Sequence, residues 1–289
     1  MRRKAIVSPS VILKQVNVSR EAEVIQNTVG GPVTTDRIRG DLERLGVREN
    51  DALLVHSSLS ALGFVPGGAQ AVVEALTAAV GPAGLVAAPV FTTHLSDPAT
   101  WRLPPVPRKW FADIRSGMTP FDPQRSPSRR MGAISEQLRT TPGALRSAHP
   151  HVSFTVLGVR AREIVEPHPV EAWLGDGSPL QRLYEFDAKI LFLGTGYQTC
   201  SAFHLAEHRA GALRFVRSGA PVLANEVRRW IAFDAPDWDT SGFDALGAAF
   251  EATSSVACDN VGMANCRLFS IRSAVDFVEA SLRSRTPAS

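Results

Sequence analysis

The residues of this chain best suited to proton chemistry stand close together: His204, Glu207 and His208, within Lys189–Ala210 (KILFLGTGYQTCSAFHLAEHRA). An imidazole titrates near neutral pH, and a carboxylate three residues further along a helix is its neighbour, able to orient the ring or stabilise its charged form. His204 and Glu207 are therefore a candidate acid–base pair. Taken alone, they fit better as polar residues on the solvated face of a surface helix, so the surroundings decide.

Those surroundings begin with Ile190, Leu191, Phe192 and Leu193, a short apolar run stopped by Gly194, which predicts a strand covered on both faces. Gly194-Thr195-Gly196 breaks the strand, and Thr199 or Ser201 is placed to cap a following helix. In an open α/β sheet the loop beyond a strand's carboxyl end is where ligands bind.

The 289 residues suffice for one large α/β domain or two smaller ones, with 44% hydrophobic and 20% charged residues, as in soluble globular proteins. No apolar run approaches the roughly 20 residues of a membrane helix, and the basic start MRRKAIVSPSVILKQ is broken by Ser, Pro and Lys without a small-residue cleavage site. Cys200, Cys258 and Cys266 are odd in number and form no CxxC pair, which fits a reducing cytoplasm and predicts neither disulfide framework nor zinc site. The net charge of +3 is spread without an aromatic-interleaved basic stripe, so no nucleic-acid or membrane partner is expected.

In chain order, residues 1–30 lack periodicity and read as an arm. A helix opens at Thr34-Thr35-Asp36 and closes at Gly46; Asp51–Val55 is a buried strand, Ala69–Val80 a helix and Gly84–Phe91 a strand, the unit from which parallel sheets are built. Thr92–Ser128, rich in Pro, Trp and Arg, reads as a long functional loop. A helix near Met131–Leu138, a strand at Val152–Leu157 and a helix capped by Ser178 with Pro179 at its first position follow. Beyond Ala210 the pattern changes to antiparallel strands, Arg214–Val216 and Pro221–Phe233, turning at Ser218-Gly219 or Asn225. An acidic loop, a helix at Phe243–Ala252, one strand Val261–Ile271 and a helix Ser273–Leu282 complete the chain.

Other chemistries find less support. Gly194 and Gly196 lack the third glycine and the following acid of a dinucleotide loop, and no G-x-S-x-G elbow occurs. His149-Pro150-His151 has no nearby carboxylate or cysteine with which to hold a metal, so no metal is assigned. The loop His56-Ser57-Ser58-Leu59-Ser60, between strand and helix, could hold a pyrophosphate or be an ordinary serine-rich turn. Asp234, Asp237, Asp239, Asp244 and Glu251 could attract a cationic amine or simply be a solvated loop.

Several long blocks together resemble the aminoglycoside 3-N-acetyltransferase family, over about Thr34 to Leu282: LLVHSSLSALGFVPGGAQAVVEAL, FDPQRSPSRRMG, PGALRSAHPHVSF, GDGSPLQRLYEFDAKILFLGTGYQTCSAFHLAEHRA and VGMANCRLFS. The resemblance implies a three-layer αβα fold, distinct from that of the GNAT acetyltransferases, with a mixed, largely parallel central sheet and a smaller antiparallel C-terminal part. It implies one acetyltransferase domain over residues 31–289. It also implies acetyl-CoA as co-substrate and an amine acceptor: a cytoplasmic acyltransferase of antibiotic resistance, with a homodimer as one arrangement. His204 falls on the expected general base, Glu207 on the acid beside it, and Ser201 on a position usually Thr. His56, Ser57, Ser58, Leu59, Ser60 and Gly63, with Ser126, Ser128, Met131 and Gly132, fall on the CoA-holding segments, where Arg129 and Arg130 would add charge. Asp176, Glu207, Asp237 and Asp239 are the expected acceptor-binding acids. Two features depart from the family pattern: Ser126-Pro127-Ser128 stands for the usual Thr-Pro-Ser, and the chain is basic although aminoglycosides are polycations.

An alkylammonium must lose a proton before it attacks a thioester, which assigns His204 as base, with Ser201 or backbone N–H groups holding the developing oxyanion. Direct transfer is expected, Cys200 being the nearest alternative nucleophile. Acetylation of an aminoglycoside, at its 3-amino group, is the first reading; a biosynthetic N-acetyltransferase for another small amine and a non-catalytic CoA-binding homologue are the alternatives.

Overall fold

Short apolar runs bounded by glycines and polar turns become the strands of a central sheet in the computed structural model, which describes residues 21–285. The N-terminal arm expected over 1–30 therefore lies outside the described residues as far as position 20. Residues 21–27 are helical. The elements then run α1 (Thr35–Leu45), β1 (Ala52–Ser57), α2 (Gly68–Val80), β2 (Leu85–Pro89), α3 (Phe111–Gly117), α4 (Ala133–Thr140), β3 (Leu145–Arg146), β4 (Phe154–Gly158), α5 (Ala161–Val165), α6 (Pro179–Glu185), β5 (Lys189–Leu193), α7 (Ala202–Arg209), β6 (Phe215–Ala224), β7 (Val227–Pro236), α8 (Phe243–Glu251), β8 (Ala257–Val261), β9 (Ala264–Ser270) and α9 (Ile271–Arg285).

The seven-stranded sheet has the order β3-β4-β2-β1-β5-β9-β8. The central β2, β1 and β5 are parallel, and the antiparallel pairings outside them leave only β4 and β9 running against the other five strands. Strand side chains alternate between faces. Leu53, Val55, Leu191 and Leu193 accordingly pack under α1, α2 and α4, with Ile38, Leu42, Leu76 and Ile134. Leu54, Ile190 and Phe192 pack on the opposite face with Leu180, Phe203, Phe243, Phe250 and Val275 of α6 to α9. Three layers result, and β6–β7 forms a separate antiparallel ribbon.

Helix ends follow the capping chemistry. Thr34 accepts a hydrogen bond from the Arg37 amide, and Ser178 accepts from Leu180 and Gln181 with Pro179 at the first helical position. The helix carrying His204 is different: Ser201 is its N-cap in αR conformation but makes no side-chain cap, while Thr199 Oγ1 donates to the Gly196 carbonyl. The chain enters α7 through the 3₁₀ turn Tyr197–Thr199 instead.

The C-terminal strand expected at Val261–Ile271 is a hairpin, β8 and β9 turning at Gly262-Met263. All of β8 but Val261 is exposed, so it carries no apolar signal. Within Thr92–Ser128, α3 has no buried residue and hence no helical periodicity to read. That segment is nonetheless anchored. Arg115 grips Asp97 through two nitrogens, Arg228 donates to the Met118 carbonyl, and the Phe121 amide donates to Pro221 on β6. Among the described residues no helix is long and apolar enough to cross a membrane.

Candidate active site

Parallel pairing of β1 with β5 sets His56 opposite Phe192 and Ser57 opposite Leu193, so the loops following both strands emerge side by side. They are stitched together there: the Ser58 amide donates to Leu193, and Thr195 Oγ1 donates to the His56 carbonyl at 3.1 Å. Gly194 sits at the crossing with φ 73°, where a Cβ would lie 2.5 Å from that of Ala61, so glycine alone fits. Gly132, also at positive φ, brings its segment within 3.2 Å of the Ser57 carbonyl, measured from where a Cβ would stand.

The space these loops enclose is a cleft of about 940 Å³ at the carboxyl ends of the central strands. His56, Ser57, Ser58, Leu59, Ser60 and Gly63 line one side, Met131 and Gly132 another, and Ser201 and His204 lie in its wall. Arg130 contributes a cation, and Phe64, Val65 and Phe91 an apolar surface. Burial pushes His56 down to about 3, and its Nε2 and the Ser57 hydroxyl have no hydrogen-bond partner among the described residues.

His204 stands in the first turn of α7 with its side chain 9% exposed. Its Nδ1 is 2.6 Å from Glu207 Oε2, the i,i+3 partnership read from the sequence. A carboxylate accepts, so Nδ1 carries a proton, and in the neutral ring Nε2 keeps the lone pair; among the described residues nothing else hydrogen-bonds the ring. Trp238 packs on the imidazole at 4.1 Å between ring centroids and Phe243 at 4.9 Å. Glu207 stands beside His204 and does not line the cleft.

Trp238 also lines a second pocket of about 450 Å³, between the Thr93–Arg102 segment, Trp173 and strands β6 and β7. Asp237 lies here, paired with Arg102 at 2.9 Å. The remaining expected residues lie elsewhere. Asp176 pairs with Arg209 at 3.2 Å, and exposed Asp239 accepts from the Ser241 amide at 2.9 Å. Ser126 accepts from the Asp122 amide and borders a separate depression with His94 and Leu223. Both the amide and hydroxyl of Ser128 donate to Glu136, whose carboxyl is held below its ordinary range despite partial burial by these bonds and by Arg139.

Three further histidines are buried around Trp173. His149 Nδ1 accepts from the amides of His151 and Val152, which leaves Nε2–H to donate to Val170. His168 donates to the Trp173 carbonyl at 2.7 Å and accepts from Ser147 Oγ. Burial drives the pKa of all three down, to about 4 for His151 and His168. Both ring nitrogens of His149 and His168 are thus already engaged in packing. Cys200 is buried too, and burial pushes its thiol up to about 12, far from a reactive thiolate.

Sequence reading missed Trp238, Trp173 and Phe243. The one signal for Trp238 was a lone aromatic between Asp237 and Asp239 in an otherwise acidic loop.

Comparison with known proteins agrees with this architecture. The sequence profile described as aminoglycoside 3-N-acetyltransferase matches residues 54–283. The SPbeta prophage-derived aminoglycoside N(3')-acetyltransferase-like protein YokD of Bacillus subtilis is 40% identical over 249 residues, covering 86% of this chain and 92% of YokD. The crystal structure of YokD superposes with a TM-score of 0.89 at 38% identity, over 91% of this chain and 98% of that one. AAC-IIIb in its binary complex with CoASH gives a TM-score of 0.80 at 30% identity, covering 90% and 100%. AAC-VIa bound to sisomicin gives 0.79 at 30%, covering 89% and 100%. The chain belongs to the aminoglycoside 3-N-acetyltransferase family.

Proposed function

We propose that the protein transfers an acetyl group from acetyl-CoA to an amino group of an aminoglycoside, the 3-amino group, by direct attack with His204 as general base. The observation that carries this reading is the His204–Glu207 pair, with His204 in the wall of the large cleft and packed against Trp238, which lines the second pocket. The CoA complex of AAC-IIIb and the sisomicin complex of AAC-VIa support the two substrate classes.

The large cleft suits the donor. His56 Nε2 and Ser57 Oγ, buried and without partners among the described residues, could hydrogen-bond a ligand; hydroxyls of Ser58 and Ser60 and the Arg130 guanidinium suit phosphates, and Leu59, Phe64 and Met131 suit an apolar arm. The acceptor would enter through the second pocket. His204 Nε2 removes the ammonium proton, Glu207 stabilises the imidazolium so formed, and the Ser201 hydroxyl donates to charge developing on the thioester oxygen. The amine nitrogen bonds to the acetyl carbon, the carbon–sulfur bond breaks as that intermediate collapses, and CoA leaves as a thiolate that takes up the proton held by the imidazolium. A single catalytic unit over residues 31–289, with Glu21 and Val24 of the preceding segment adding to the cleft wall, fits this arrangement. Acetylation removes a positive charge from the antibiotic, which is the basis of resistance in this reading.

A second reading, a less cationic amine as acceptor, is favoured by one observation: Asp237 and Asp176 are each already paired with an arginine. A CoA-release assay with acetyl-CoA against sisomicin and a series of simple monoamines separates the two. Turnover of sisomicin but not of monoamines is the expected result. Turnover confined to monoamines contradicts the aminoglycoside assignment, and release with neither contradicts the enzyme reading.

A further inference from the structure

Asp237 is the only carboxylate among the described residues that line the second pocket, and it is already occupied. The terminal nitrogen Nη2 of Arg102 lies 2.9 Å from one of its oxygens and 3.0 Å from the other. The two partners are held very differently. The Asp237 amide donates to Arg214 at 2.8 Å, fixing the base of the acid, and its side chain is 35% exposed. Arg102 reaches across from the Thr92–Ser128 segment on a long stem that is 71% exposed. A second guanidinium, Arg217, stands on the same rim, paired loosely at 3.3 Å with Asp234. The pocket therefore offers a cationic ligand one anchored anion, with a movable cation of the protein's own already on it.

We infer that Arg102 is an internal competitor for the acceptor: its guanidinium takes, on Asp237, the place of a substrate ammonium, and so sets how strongly the enzyme favours polycationic amines. The inference rests on the second pocket being the acceptor side. A bound polycation must displace Arg102, and the exchange of one exposed ion pair for another yields little net affinity. Removing the competitor should leave Asp237 free for the ligand.

The test is calorimetric binding of sisomicin to the full chain, with CoA present, for wild type, R102Q, R102K and D237N at low and moderate salt. R102Q is expected to bind sisomicin about two- to five-fold tighter than wild type, the range of an exposed pair, and this gain should shrink as salt screens the contact. R102K keeps the competing charge and should bind like wild type; D237N should bind more weakly. Thermal melts and the KM for acetyl-CoA should be unchanged in R102Q. R102Q binding no tighter overturns the inference, as does an equal gain in R102K or a gain insensitive to salt, either of which marks a loosened segment rather than a freed anion. Sisomicin that binds to none of the four proteins overturns it too. Missing CoA release bears on the proposed reaction alone, because the binding ratio decides the role of Arg102 whether or not turnover follows.

Discussion

Two groups of histidines in this molecule share burial and differ in their partners. His204 faces a carboxylate at 2.6 Å and has Nε2 unengaged, whereas His149 and His168 face backbone carbonyls, amides and a serine hydroxyl through both ring nitrogens. A carboxylate makes the protonated ring affordable in a low-dielectric site; neutral partners make it costly, and burial holds the second group uncharged. One histidine therefore has the partner that the proposed proton transfer needs, and the others act as shaped hydrogen-bonding wedges. Burial alone does not tell them apart.

Breaking each member gives opposite signatures. H204A should lower kcat/KM for the acceptor by about 10²–10⁴, the range of a lost general base, with the melting temperature and CoA binding little changed. E207Q keeps the imidazole but removes the charge that stabilises its protonated form; a loss of about 10- to 100-fold in steady-state assays is expected, a fraction of the full acid–base contribution. H149A should do the reverse. It leaves the amides of His151 and Val152 unpaired, at about 1–3 kcal/mol each, and should lower Tm by several degrees in a thermal melt.

A further effect is a slope with pH. His151 and His168 have pKa values driven by burial from 6.5 to about 4, so between those values the unfolded chain binds protons that the folded chain excludes. Stability should thus fall on acidification from about pH 6.5, each group adding up to about 1.4 kcal/mol per pH unit until it is protonated in the folded state near pH 4, while His56 and His149, lowered further by burial, carry the fall below that. Urea melts from pH 7 to pH 4 measure this, and H168N should flatten the slope.

Much of the large cleft was legible because it depends on local pattern. An apolar run, a glycine and a helix are enough to place His204 with Glu207, and β1 followed by His56–Ser60 announces its neighbour. The second pocket was not, because it is made by distant segments. Arg102 meets Asp237, and Trp238 meets His204, only through tertiary folding, and α3 and β8 carry no buried apolar stripe. Ser126 and Ser128 show the same limit. Sequence displays a hydroxyl but not its direction, and these two serve the Asp122 turn and Glu136 rather than the cleft.

In the proposed reaction Glu207 fixes the tautomer of His204 so that Nε2 offers a lone pair to the substrate. Nitrogen-15 NMR of histidine-labelled protein, with the His204 signal assigned by its loss in H204A, tests this directly. In the neutral ring, a protonated Nδ1 and an unprotonated Nε2 are expected, with that preference reduced in E207Q. A His204 protonated at Nε2, or an E207Q spectrum identical to wild type, would contradict it.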